Sequence, residues 1–143
     1  MTALLHRLPD WPERLAAYLQ TVRQRPFAWG THDCVRFTAG AVQAVTGRDL
    51  LPAQWADAAT AARLLRALGG LRGAVGTVLQ PLPAPAFAQR GDVVLVRLPQ
   101  ADGRARRQCL AVADGARCWA PSQGGLVAID AGLACAAWGV GHG

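Results

Sequence analysis

Cys34 is the residue best suited to covalent chemistry, because it follows Trp29-Gly30-Thr31-His32-Asp33 at a point where a helix should begin. The unpaired amides and dipole of a helix N-terminus favour an anion. A thiol placed there ionises more readily and can act as a nucleophile. Such a nucleophile needs a base, most often His, and a third group that orients the base. His32 is close in sequence and Asp33 can cap the helix, but residues two apart at a helix start do not face each other. Plainer readings stand beside these: Cys34 as a small buried residue on the inner face of its helix, and His32 as an exposed or capping loop histidine. His6 and His142 lie near the termini, where chains fray. Cys109, Cys118 and Cys135 supply no Cys-x-x-Cys pair, so neither a zinc site nor another cofactor is expected.

The elements that must position Cys34 can be read from pattern. Asp10-Trp11-Pro12-Glu13 has the form of a helix start, with Asp10 as cap and Glu13 closing a capping box. Trp11, Leu15, Tyr18, Leu19 and Val22 then fall on one helical face, and the helix should stop before Pro26. A second helix is expected from Asp33 to Thr46, with Cys34, Phe37, Thr38, Ala41, Val42 and Val45 inward and Gly47 as its stop. An alanine-rich third helix spans about 57–68, a weaker one follows to Leu79, and Pro81, Pro83 and Pro85 make a stiff connector. After Arg90-Gly91-Asp92 the pattern turns to strands at 93–98, 108–112, 117–120, 126–129 and 136–140. Asp102-Gly103, Asp114-Gly115 and Gly124-Gly125 are the turns between them. Helices first and an antiparallel meander second give an α+β class. The 143 residues fit one domain, with a helical part at about 10–80 and a sheet part at about 90–141.

Composition narrows the partners. The net charge is +6 and all 15 basic residues are Arg. No basic run interleaves with aromatics, so nucleic acid is not an expected partner. Arg104, Arg106 and Arg107 cluster beside Asp102-Gly103, as at a solvated hairpin tip. An acidic partner remains compatible with the charge. Residues 1–10 show no apolar run of signal-peptide length, and no stretch approaches a membrane span. The expectation is a chain made in the cytoplasm, with reduced thiols and no membrane.

The order Asp33-Cys34 opening a helix, then Arg90-Gly91-Asp92-Val93-Val94-Leu95-Val96 opening a sheet, resembles the NlpC-type branch of the papain-like cysteine peptidases. In that family an Asp-Cys pair starts the nucleophile helix and a Gly-Asp pair starts the first core strand. The catalytic His heads the next strand. The closer likeness is to small phage-encoded relatives found among tail genes. Their Phe-x-Trp-Gly-x-x-Asp-Cys segment is matched by residues 27–34, their Gly-Asp-Val-Val by 91–94, and their late Gly-Leu-Val by 125–127. Trp138 matches a Trp near their C-terminus.

The resemblance implies a papain-like fold, with N-terminal helices packed on a C-terminal antiparallel sheet of about five strands. It implies Cys34 as nucleophile. It also shows departures: Val35-Arg36 follows the Cys in place of a small pair, Gln108 stands at the family His position, and no His occurs between Cys34 and Gly141. The orienting residue should lie near Trp119-Ala120, where neither side chain can orient an imidazole. Gln108 cannot take a proton from a thiol at neutral pH. His32, from the loop, is left as a non-standard base.

Three functions follow as expectations. The first is a tail-associated structural or assembly protein, made in the host cytoplasm and carried in the virion tail, with other tail proteins as partners and catalysis lost. The second is a cysteine hydrolase cutting peptide or amide bonds of the bacterial cell wall during DNA entry. The third is a binding domain for an acidic partner.

Overall fold

The computed structural model describes residues 5–51, 55, 57–98 and 107–141. The turn expected at Asp102-Gly103, with Arg104 and Arg106, and the tail residue His142 lie outside them. Helix α1 spans Trp11–Val22 and carries Pro12 in its first turn, where a missing N–H costs nothing. Asp10 does not cap it with its side chain: its backbone sits at φ −102°, ψ 26°, outside the extended region from which a capping carboxylate reaches N2 or N3. The Asp10 and Leu8 carbonyls take the Arg14 and Trp11 amides at 3.1 and 3.0 Å.

Helix α2 spans Cys34–Thr46 as its pattern requires, and Gly47 ends it in the left-handed conformation at φ 79°. Its Cys34, Phe37, Thr38, Ala41, Val42 and Val45 are all buried. Helix α1 lies against it; Tyr18 stacks on Phe37 with ring centroids 5.9 Å apart, and its hydroxyl donates to the Phe37 carbonyl at 2.8 Å. A Cβ on Gly40 would overlap the Tyr18 ring, so glycine there admits the crossing. Helices α3 (Ala58–Leu68) and α4 (Gly70–Gly76) follow, α3 capped by Asp57 onto the Thr60 amide.

Strands β1 (Gln80–Pro81), β2 (Val93–Leu98), β3 (Arg107–Asp114), β4 (Arg117–Ser122), β5 (Gly125–Asp130) and β6 (Ala134–Gly139) form one antiparallel sheet in the order β1-β6-β2-β3-β4-β5. The class is therefore α+β, with six strands where the sequence pattern gives about five. The extra one, β1, is a two-residue pairing of Gln80 and Pro81 with Gly139 and Trp138, too short to leave an alternating pattern. It lies where the proline connector was expected.

The sheet has two buried faces. Val93, Leu95, Leu110, Val112 and Trp138 pack with Leu15, Val22, Phe37, Val42 and Val45 of the helices. Val94, Val96, Ala111, Ala113, Cys118, Ala120, Ile129 and Ala137 fill the other face, with Leu82, Ala88 and Leu133 laid against them. Among the described residues, only short 3-10 turns at Pro85–Phe87 and Ala131–Leu133 lie against this second face, and its side chains are correspondingly small.

Strand β2 enters through a buried polar junction. Asp92 has no exposed surface. Its Oδ1 accepts from Arg7 Nη2 at 3.0 Å and from the Val140 amide at 2.9 Å, and its Oδ2 accepts from the Gln89 amide at 2.8 Å. Arg7 also donates from Nε to the Val140 carbonyl at 2.8 Å and from Nη1 to the Arg90 carbonyl at 2.7 Å, and its guanidinium lies 4.2 Å from the Trp11 ring centroid. Gly91, at φ +92°, brings its backbone within reach of Arg7; a Cβ there would stand 3.3 Å from Nη1. The Gly-Asp pair is thus a tie between the segment before α1, the start of β2 and the end of β6.

Candidate active-site cleft

Residues 27–33 form a tight loop. Ala28 and His32 exchange two backbone hydrogen bonds, of 3.1 and 2.7 Å, and the Phe27 amide donates to the Ser122 carbonyl at 2.8 Å. Asp33 ends the loop and starts α2. Its Oδ1 accepts from the Arg36 amide at 2.8 Å, the expected N-cap. Its Oδ2 accepts from the Gly30 amide at 3.1 Å and from Trp55 Nε1 at 2.9 Å. Arg36 also donates to the Trp55 carbonyl. Asp33 and Trp55 are both buried, so the carboxylate fixes the loop, the first turn of α2 and the segment before α3 together.

Cys34 is the first residue of α2. It lines a cleft of about 740 Å³, bounded by the loop residues Phe27 and Trp29, by Val35 and Trp55, by Arg107, Gln108 and Cys109 of β3, and by Pro121 and Ser122 of β4. Cys34 and Gln108 both line this cleft. Burial pushes Cys34 up to about 12, and only a backbone hydrogen bond from Leu110 and the Arg107 charge work the other way, while Cys109 and Asp33 add to the rise. Cys109 and Cys118 are likewise pushed up by burial, each to about 11. Asp33 already takes the Arg36 amide, one of the few free donors of the helix start.

His32 is neither an exposed loop residue nor a cap. It is 3% exposed, and its ring stands edge-on to Phe37 with centroids 6.1 Å apart. Its Nε2 has no hydrogen-bond partner among the described residues, and the groups whose charge reaches Cys34 are Cys109, Asp33 and Arg107. No hydrogen bond joins His32 to Cys34, and His32 is not among the residues that line the cleft. Burial first, then the Arg25 charge, lowers its affinity for a proton, with Asp33 opposing. Its imidazole is thus neutral near pH 7 but turned toward the core, the wrong direction for a base.

Trp119, on the strand expected to supply an orienting group, donates from Nε1 to Asp114 Oδ2 at 2.9 Å. That bond is internal to the β3–β4 hairpin, in which Val112 faces Trp119. Among the described residues, no group of His, Cys, Asp and Glu is arranged to hold a metal ion. The contributions of Arg7 and Trp55 were not foreseen. The only local signals were a charged residue in the first ten and an isolated Trp ahead of a helix, and neither names its partner.

A family model described as Domain of unknown function (DUF6950) matches residues 6–140. No curated protein matches the chain, and no solved structure does. The chain belongs to the DUF6950 family.

Proposed function

We propose that this member of the DUF6950 family is a non-catalytic structural or assembly protein of a phage tail, built on a papain-like, NlpC-type fold in which the nucleophile position has been retired. The observation that carries the loss of catalysis is the cleft lining: Cys34 shares it with Gln108 and, among the described residues, with no histidine, while burial pushes the thiol up. A thiol is nucleophilic as the thiolate, and an amide side chain removes no proton. Loss of a general base alone costs roughly two to four orders of magnitude in rate.

The papain-like reading is supported by layout. The Cys-bearing helix precedes an antiparallel sheet, Cys34 sits at the first position of that helix, and the strand after the Gly-Asp strand borders its cleft. The phage-tail reading rests on the resemblance of residues 27–34, 91–94 and 125–127 and of Trp138 to small tail-gene relatives. Other tail proteins would be its partners, and the chain would be made in the host cytoplasm and packaged in the tail.

One observation favours the hydrolase reading: the cleft of about 740 Å³ is of substrate size and Cys34 borders it. Cell-wall peptides would then be the substrate, with Cys34 attacking. The net charge of +6 is what a domain binding an acidic partner would need, and it is shared with the other two readings.

The test has two arms. Mass spectrometry of particles from the phage or prophage that encodes the gene should find this chain in the assembled tail. Purified protein incubated with bacterial cell wall should release no new amino or carboxyl ends beyond a Cys34→Ala control. Absence from particles, or Cys34-dependent release, would reverse the respective half.

A further inference from the structure

We propose that residues 27–33 form a pH-operated latch, held closed over the start of α2 by uncharged His32 and opened, with exposure of the Cys34 thiol, when that imidazole takes up a proton. The inference holds whether Cys34 is retired or reactive.

The closed state has no place for an imidazolium. His32 is 3% exposed, and its Nε2 has no acceptor, so a proton placed there would be a buried donor without a partner. Among the described residues, two charged groups act on it and Tyr18 lies beyond the Phe37 ring. Arg25, just after α1, repels a positive charge. Asp33, at the head of α2, would attract one, but its oxygens already accept from Arg36, Gly30 and Trp55. Tyr18 of α1, reached through Phe37, has its hydroxyl committed to the Phe37 carbonyl and is pushed up to about 12 by burial, so it stays neutral. The Phe37 ring edge completes the pocket.

Opening the loop around His32 leaves the Asp33 bonds to Arg36 and Trp55 in place. The loop is closed by the Ala28–His32 pair, by Phe27 to Ser122, by Gly30 to Asp33 and by Thr31 to Ala28, with the Phe27 and Trp29 rings edge to face. Swinging His32 out breaks the first and loosens the third, which moves Trp29, already 53% exposed, away from the cleft edge it shares with Cys34. Because the closed state binds the proton more weakly than the open one, the open fraction grows as pH falls below about 6.5, by at most about tenfold per pH unit for one proton.

Hydrogen–deuterium exchange of the full chain, followed by peptide at pH 7 and pH 5 and corrected for intrinsic rates, reads the latch. Residues 27–33 should lose protection by about tenfold while β2 and β3 keep theirs, and His32→Gln should remove the pH dependence. A second protein, His6→Gln/His142→Gln, leaves one imidazole, whose proton NMR titration should have a midpoint below the ordinary value of about 6.5. It also keeps the test readable if His32→Gln does not fold. Protection unchanged between pH 7 and 5, an equal loss in His32→Gln, or a loss spread evenly over the sheet would each overturn the proposal.

Discussion

Asp33 and Asp92 are both fully buried, each opens a core element, and each belongs to a motif of the tail-gene likeness, yet they are held in different ways. Among the described residues, Asp33 has only neutral N–H donors as hydrogen-bond partners: the Arg36 and Gly30 amides, each three residues away, and the Trp55 indole, 22 away. Asp92 is paired with a guanidinium 85 residues away and with an amide 48 residues away. The first anchor is local and shapes the wall of a cleft. The second fastens remote parts of the chain and lies apart from the cleft. An Asp beside a Cys and an Asp at a strand start thus serve geometry, and nothing in either arrangement delivers a proton to or from Cys34.

The comparison can be broken most sharply at Asp92. Asp92→Ala leaves the Arg7 guanidinium, 12% exposed, without its counter-charge, and removing one member of a buried pair costs about 3–5 kcal/mol. Urea denaturation should show that loss, and Arg7→Met combined with Asp92→Ala should restore part of it. Simple addition of the two single effects would mean the pair is not coupled.

Asp33→Ala should cost less, about 1–3 kcal/mol, from a lost N-cap and an unsatisfied Trp55 N–H. Its signature is local: the Trp55 emission should move to the red, and exchange should rise in residues 27–36. An unchanged emission spectrum would show that Trp55 is held by something else.

A smaller effect appears in alkali. Cys34, Cys109 and Cys118 all have folded values raised above the ordinary 9.0 by burial. The unfolded chain gives up these protons first, so the stability they contribute is complete below about pH 9 and falls as pH rises toward 11 and 12. Midpoints of urea unfolding at pH 7, 9 and 10 check the sign, and Cys34→Ala should flatten the slope. The smallest change is Cys34→Ala at pH 7. Replacing one buried sulfur by hydrogen should cost about 1 kcal/mol.

What could be read from the sequence follows the range of the physics involved. Helix α2 was legible because its cap, inward stripe and glycine stop lie within fourteen residues of one another. The hairpins after Asp114-Gly115 and Gly124-Gly125 were legible for the same reason. Asp10 carried a capping signature that its backbone angles do not honour, in a segment whose Leu8 amide is tied to the distant Val45 carbonyl at 2.9 Å. The α+β class was available in advance, since helical spacing ends where the alternating strand pattern begins near Arg90. The burial of His32 and the ties from Arg7 and Trp55 were not, since each depends on partners that only the folded chain brings near.

The central claim is that Cys34 is a protonated, buried thiol. Peptide-resolved alkylation of the native protein by iodoacetamide from pH 6 to 10 tests it, with the more exposed Cys135 as reference in the same sample. The account predicts no appreciable Cys34 modification below about pH 9, and rapid modification once denaturant is added. Fast alkylation of native Cys34 at pH 7, where the loop is closed, lost in His32→Gln, would show an activated thiolate and contradict it.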